Sequence, residues 1–190
     1  MTAARHRHGG WTSRADARRD EVTTAQLLPR HLREGLLPAA AVGDVLTATP
    51  VIYASEVDRL RCRPERLWDL DEYGTVVACG VPGVLTTEAG DLDALEIGDR
   101  VVPVNRAGLE SVPDLDPDQP VYVEGSVYLD TDLPSTTGRV YRLVAVRRYR
   151  LRTGGRPPRT EPLRRIPGPV GIDDDVFLHV ADLVVADDQP

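Results

Sequence analysis

Val121-Tyr-Val-Glu-Gly-Ser-Val-Tyr-Leu129 decides the fold class. Its odd positions are Val121, Val123, Gly125, Val127 and Leu129, and its even positions are Tyr122, Glu124, Ser126 and Tyr128. Successive side chains of a strand point to opposite faces, so this alternation predicts a strand with one buried face.

Comparable runs lie on both sides of it: Val45–Ala54, broken by Pro50, then Thr75–Val81, Val101–Asn105, Arg139–Leu151 and Val176–Val185. Pro-rich turns at 113–120 and 157–169 separate them. Two of the runs follow one device, Val42-Gly-Asp-Val45 and Ile97-Gly-Asp-Arg-Val101. Glycine takes a positive φ without a steric cost there, and aspartate bonds its own downstream backbone.

Helical signals are few. A short helix is expected around 20–28, ended by Pro29, and a helical turn over 30–35, stopped by Gly35 and Pro38. Ser55 with Asp58 three residues on reads as an N-cap, with Val57, Leu60, Leu67 and Trp68 facing a core. Six strands with one or two short helices predict a mainly β protein, a small β-barrel or a β-rich α+β fold. The β-rich domain is expected over 36–186. A disordered basic arm with short helices, 1–35, precedes it, and a tail, 187–190, follows.

The stretch Glu72–Val104, with its Gly-Asp-Arg-Val-Val turn, resembles the strand–turn passage of GroES-like β-domains in zinc-type alcohol dehydrogenases. That resemblance implies a small barrel. The catalytic parts of that family are missing, since no Cys/His zinc set lies nearby and no Gly-x-Gly-x-x-Gly follows.

Of the 190 residues, 23 are Lys or Arg and every one of these is Arg. The absence of lysine fits a GC-rich bacterial genome, and it excludes Schiff-base, Ser–Lys and P-loop chemistry. The net charge of -7 averages unlike segments. Residues 1–40 carry +3, 41–138 carry -13, 139–166 carry +9 and 167–190 carry -6. A strongly acidic middle therefore adjoins a basic ribbon. The longest uncharged stretch, Tyr73–Thr87, is too short to span a membrane as a helix and is broken by Gly74, Gly80, Pro82 and Gly83. No apolar core follows the N-terminal arginines, so no membrane role and a cytoplasmic location are expected.

No metal and no cofactor is expected. His6 and His8 lie between arginines, and Asp114-Leu-Asp-Pro-Asp118 lacks the glycine and glutamate of a calcium loop. The Asp173-Asp-Asp175 run reads as a turn. Cys62 and Cys79 are too few for a disulfide scaffold or a zinc site. Cys79, within Val76-Val-Ala-Cys79, reads as a buried inert thiol, whereas Arg61 and Arg63 would lower the pKa of Cys62 if it were exposed.

Three functions are compatible with these features. The favoured one is a non-catalytic interaction or regulatory module that binds a protein partner through its charge-segregated surface. The second is a nucleic-acid-binding barrel, in which Arg142, Arg148, Arg150 and Arg152 grip phosphates while Tyr141 or Tyr149 stacks. The third is a hydrolase-like enzyme built on Asp69, Asp71 and Glu72, with Trp68 to desolvate a carboxyl, although the only histidines outside the arm, His31 and His179, are remote in sequence. In its apolar run, His179 is expected to be buried. The oligomeric state is not encoded in any of these patterns.

Overall fold

The computed structural model describes residues 22–59, 61–62, 68–87, 90–98, 100–109, 119–130, 139–150, 158–169 and 177–186. Strands dominate them. In chain order they are β1 (Val22–Leu27), β2 (Val45–Asp58), β3 (Trp68–Leu70), β4 (Thr75–Thr87), β5 (Gly90–Ile97), β6 (Arg100–Asn105), β7 (Val121–Asp130), β8 (Arg139–Arg150), β9 (Arg159–Leu163) and β10 (Phe177–Val185). One short helix, α1 (Pro29–Glu34), ends at Gly35 in the left-handed conformation. The fold is mainly β, as the alternation predicted.

The strands follow the order β3-β4-β5-β6-β2-β7-β1-β10-β8-β9, with additional pairings β4–β7 and β2–β8. These pairings trace two circuits. One runs β4-β5-β6-β2-β7, the other β2-β7-β1-β10-β8, and both contain the antiparallel pair β2–β7. Each circuit has one thin parallel seam of two register pairs, β2–β6 in the first and β1–β7 in the second. The result is barrel-like without a fully laddered closed ring.

Long strands serve both circuits by bending. Val45–Ala48 of β2 pairs with β8, and from Thr49 onward the same strand pairs with β7. Within the β2–β7 ladder a bulge falls at Ser55, whose hydroxyl donates to the Glu124 carbonyl. Opposite the bulge stands Gly125, where any Cβ would overlap the Tyr53 carbonyl oxygen. The odd residues of β7 face the core, from Val121 to Leu129, alongside Ile52, Val76, Ala78, Leu143 and Leu183. At the paired Gly-Asp turns, Gly43 and Gly98 both have positive φ.

Two helix expectations are corrected. Val22–Leu27 is a strand, because Val22, Thr23 and Thr24 are β-branched and the segment finds antiparallel partners on β10. It therefore belongs to the sheet, although the sequence assigned it to the N-terminal arm. Ser55–Asp58 continues β2, because the ladder to β7 outweighs a capping signal that is only local. Four strands escaped the sequence reading: β1, β3, β5 and β9. The expected disordered segment 1–20, the tail 187–190, His6, His8, Asp114–Asp118 and Asp173–Asp175 lie outside the described residues.

Candidate functional site

The arginine-rich strand β8 does not keep one alternation along its length. Leu143 pairs with Leu183 and Ala145 with Asp182, so Val144 is an extra residue in the ladder and the phase changes there. Tyr141 and Leu143 point inward before the bulge and Val146 after it. This bulge decides where each arginine goes.

Before the bulge, the outward face crosses four strands in one row. Val22 on β1 pairs with Val184 on β10, Val184 with Arg142 on β8, and Arg142 with Val45 on β2. Val45 is 52% exposed, Val140 43% and Val144 39%. Arg142 is exposed among them, donating to the Gly43 carbonyl at 3.2 Å. Among the described residues no carboxylate is bonded to it. Arg139 is exposed at the start of the same strand.

Beyond the bulge, the outward face is occupied by internal polar contacts. Arg147 is ion-paired with Asp182, which also accepts from the Thr24 hydroxyl at 2.9 Å. Tyr149 is 1% exposed, with its ring against Tyr73 at a 4.9 Å centroid distance and its hydroxyl donating to the Glu72 carbonyl. Burial raises its pKa. Tyr141 is 7% exposed. Neither tyrosine offers a ring face to a base, so the stacking role expected of them has no exposed ring to act through.

The other face of the same end collects charge and one aromatic ring. Arg148 is bonded to Glu161 at 2.6 Å and lies 4.6 Å from the Phe177 ring centroid. Arg150 is exposed directly opposite Arg159, also exposed. His179, the register partner of Arg148, is buried, as its apolar run implied. Arg152 lies outside the described residues. The basic ribbon thus divides: Arg147 and Arg148 are neutralised by the protein's own acids, while Arg139, Arg142 and Arg150 are exposed.

The acidic cluster serves its own turn. One Asp71 oxygen accepts from the Tyr73 and Thr75 amides at 2.9 and 2.8 Å. This turn packs on the Tyr149 face of β8, whereas His179 sits with Arg148 on the opposite face. The Asp71 turn and His179 therefore lie on opposite faces of β8.

A cavity of about 420 Å³ lies elsewhere, lined by Val51, Asp91, Asp93, Asn105, Arg106 and Asp130 among others. Arg106 and Asp93 pair across its rim at 2.7 Å. At its inner end the Tyr53 hydroxyl donates to Asp130 at 2.8 Å, and burial followed by this carboxylate pushes the phenol up to about 12. The lining contains neither histidine nor cysteine. Among the described residues no group of three or more His, Cys, Asp or Glu could hold a metal ion, and no helix is long and apolar enough to cross a membrane.

Compared with protein-family models, curated proteins and solved structures, the chain finds no match. Sequence reasoning missed the exposed valine face around Arg142. Val140 and Val144 flank Arg142 at two-residue spacing in the sequence, which was the available signal; their pairing beside Val45 was not readable.

Proposed function

We propose that the protein is a non-catalytic binding module whose outer β2–β8–β10 face receives an apolar, acid-bearing segment of a protein partner. The observation that carries this reading is Arg142 standing exposed among Val45, Val140 and Val144. Contiguous exposed apolar surface is uncommon on a protein without a partner, and an arginine at its centre is the usual polar anchor of an interface. The cation selects the partner's chemistry, since a carboxylate would complete it. A second copy related by a two-fold axis through this row would set Arg142 against Arg142, which disfavours self-association.

Selection of phage-displayed peptides on the folded protein tests this. Peptides combining valine, leucine or isoleucine with aspartate or glutamate should be enriched, and should lose at least tenfold in affinity for Arg142→Glu. Equal binding to wild type and Arg142→Glu, or no enrichment of acidic peptides, would overturn it.

A second reading rests on the exposed Arg150/Arg159 pair beside Phe177: this end of β8 would hold the backbone of a single-stranded nucleic acid. Guanidinium groups match phosphate oxygens, and Phe177 offers an aromatic surface already used by Arg148. A fluorescein-labelled oligonucleotide binding at low salt, and released in Arg150→Ala/Arg159→Ala, would favour this reading. No binding at low salt would end it.

A further inference from the structure

Cys62 and Cys79 are 17 positions apart in sequence, yet the fold brings them together. Tyr122 on β7 is the register partner of Asp58 on β2 and of Cys79 on β4. Just past the end of β2, Arg61 bonds Glu56 at 2.8 Å and Asp58 at 3.5 Å, and its guanidinium lies 5.6 Å from the Tyr122 ring centroid. The chain thus returns from β2 across β7 toward β4, and the next residue, Cys62, comes within side-chain interaction range of Cys79. Cys79 shares the outer face with Tyr122, away from the core cluster, and is nonetheless buried. It is a covered surface thiol rather than a core residue.

We propose that Cys62 and Cys79 are a redox pair that closes to an intramolecular disulfide, tying the segment after β2 down onto β4. Cys62 is the partly exposed member and the entry point for oxidant. With a hydroperoxide, the Cys62 thiolate attacks one oxygen and breaks the O–O bond, giving Cys62 sulfenic acid and, from hydrogen peroxide, one water. The Cys79 sulfur then displaces the hydroxyl from Cys62 sulfur, forming the S–S bond and releasing a second water. Two thiols lose two protons and two electrons, and the peroxide is reduced to water. A dithiol reductant reverses the closure by exchange.

Burial and then the neighbouring Cys79 thiol push the Cys62 thiol up to about 12. The reactive thiolate is therefore scarce near neutrality, and closure should quicken about tenfold for each pH unit below that value.

The test uses the full-length folded protein treated with hydrogen peroxide at pH 8 and pH 9, then unfolded in N-ethylmaleimide and mapped by mass spectrometry. The expected result is a monomer two hydrogens lighter, a Cys62–Cys79 cross-linked peptide, recovery with dithiothreitol and a roughly tenfold faster reaction at the higher pH. In urea, where burial no longer raises the Cys62 pKa, peroxide should consume the thiols faster yet leave a smaller share of the product as the Cys62–Cys79 cross-link, which separates proximity created by the fold from chance collision. Cys62→Ser, at a partly exposed position, should abolish the cross-link and leave Cys79 alkylatable. Both thiols alkylatable after peroxide, or Cys62 driven to sulfinic acid with Cys79 untouched, would overturn the proposal.

Discussion

Arg150 on β8 and Arg159 on β9 are direct register partners, so two cationic side chains leave the same face of the terminal ladder of the sheet side by side. Like charges at opposed positions destabilise a strand pair by roughly 0.2–1 kcal/mol. Arg159→Glu replaces that repulsion with an ion pair, and should raise stability by about 0.5 kcal/mol in urea denaturation at low salt. High salt should erase most of the gain. A stability loss at low salt would mean that an anion-free repulsion is not what this ladder carries.

The Arg147–Asp182 pair sits half-covered beneath the 71–74 turn, with Thr24 as a third member. Removing the cation leaves a poorly solvated carboxylate. Arg147→Met should cost about 2 kcal/mol, and adding Asp182→Asn should recover part of it. A double-mutant cycle by chemical denaturation reads the coupling directly. Additive losses would show that the two side chains act independently.

Gly125→Ala should be among the most damaging small substitutions in the chain. Its Cβ would overlap the Tyr53 carbonyl and meet the Ala54 Cα at 3.0 Å, both backbone atoms of the bulged strand. Since neither can yield without breaking the β2–β7 ladder, a loss of about 3 kcal/mol is expected in thermal or urea unfolding.

Tyr53 gives an alkaline limit to stability. Its folded pKa, about 12, lies above the unfolded value of 10.0, so the folded state holds the phenolic proton more tightly. The resulting stabilisation is fully present below pH 10 and is lost as pH rises from there through about 12. Urea midpoints for wild type should therefore fall more steeply above pH 10 than those of Tyr53→Phe. Parallel curves would show that the burial of Tyr53 and its Asp130 contact do not hold the phenolic proton in solution.

What the sequence made legible was periodicity. Val121–Leu129 keeps strict alternation because one face of β7 is buried along its whole length, and it reads correctly by eye. Arg139–Arg150 misled after Val144, because a bulge is a property of two paired strands and one strand's letters do not contain it. Thus Arg142 could be read as outward, but the internal pairing of Arg147 and Arg148 could not. Gly90–Ile97 was passed over since Asp91, Asp93 and Glu96 dilute its apolar residues, and Arg159–Leu163 because Pro162 interrupts it at the end of the strand order. The Ser55 capping signal was real chemistry, spent on the Glu124 carbonyl instead of a helix N-terminus. Nothing in the spacing of Cys62 and Cys79 announces their meeting, which depends on β7 lying between β2 and β4.

The pairing of β1 with β10 has a consequence for biosynthesis. Thr24 and the Asp182 it bonds are separated by 158 positions, so β1 must wait through that much further synthesis before its partner strand exists. At a ribosomal pace of roughly 5–20 residues per second, that interval lasts about ten to thirty seconds. Through it the nascent chain can complete the circuit containing β4, β5 and β6 but not the one containing β1, β8 and β10. Its most vulnerable species is thus a half-finished molecule with β1 unzipped, the form a chaperone would meet first.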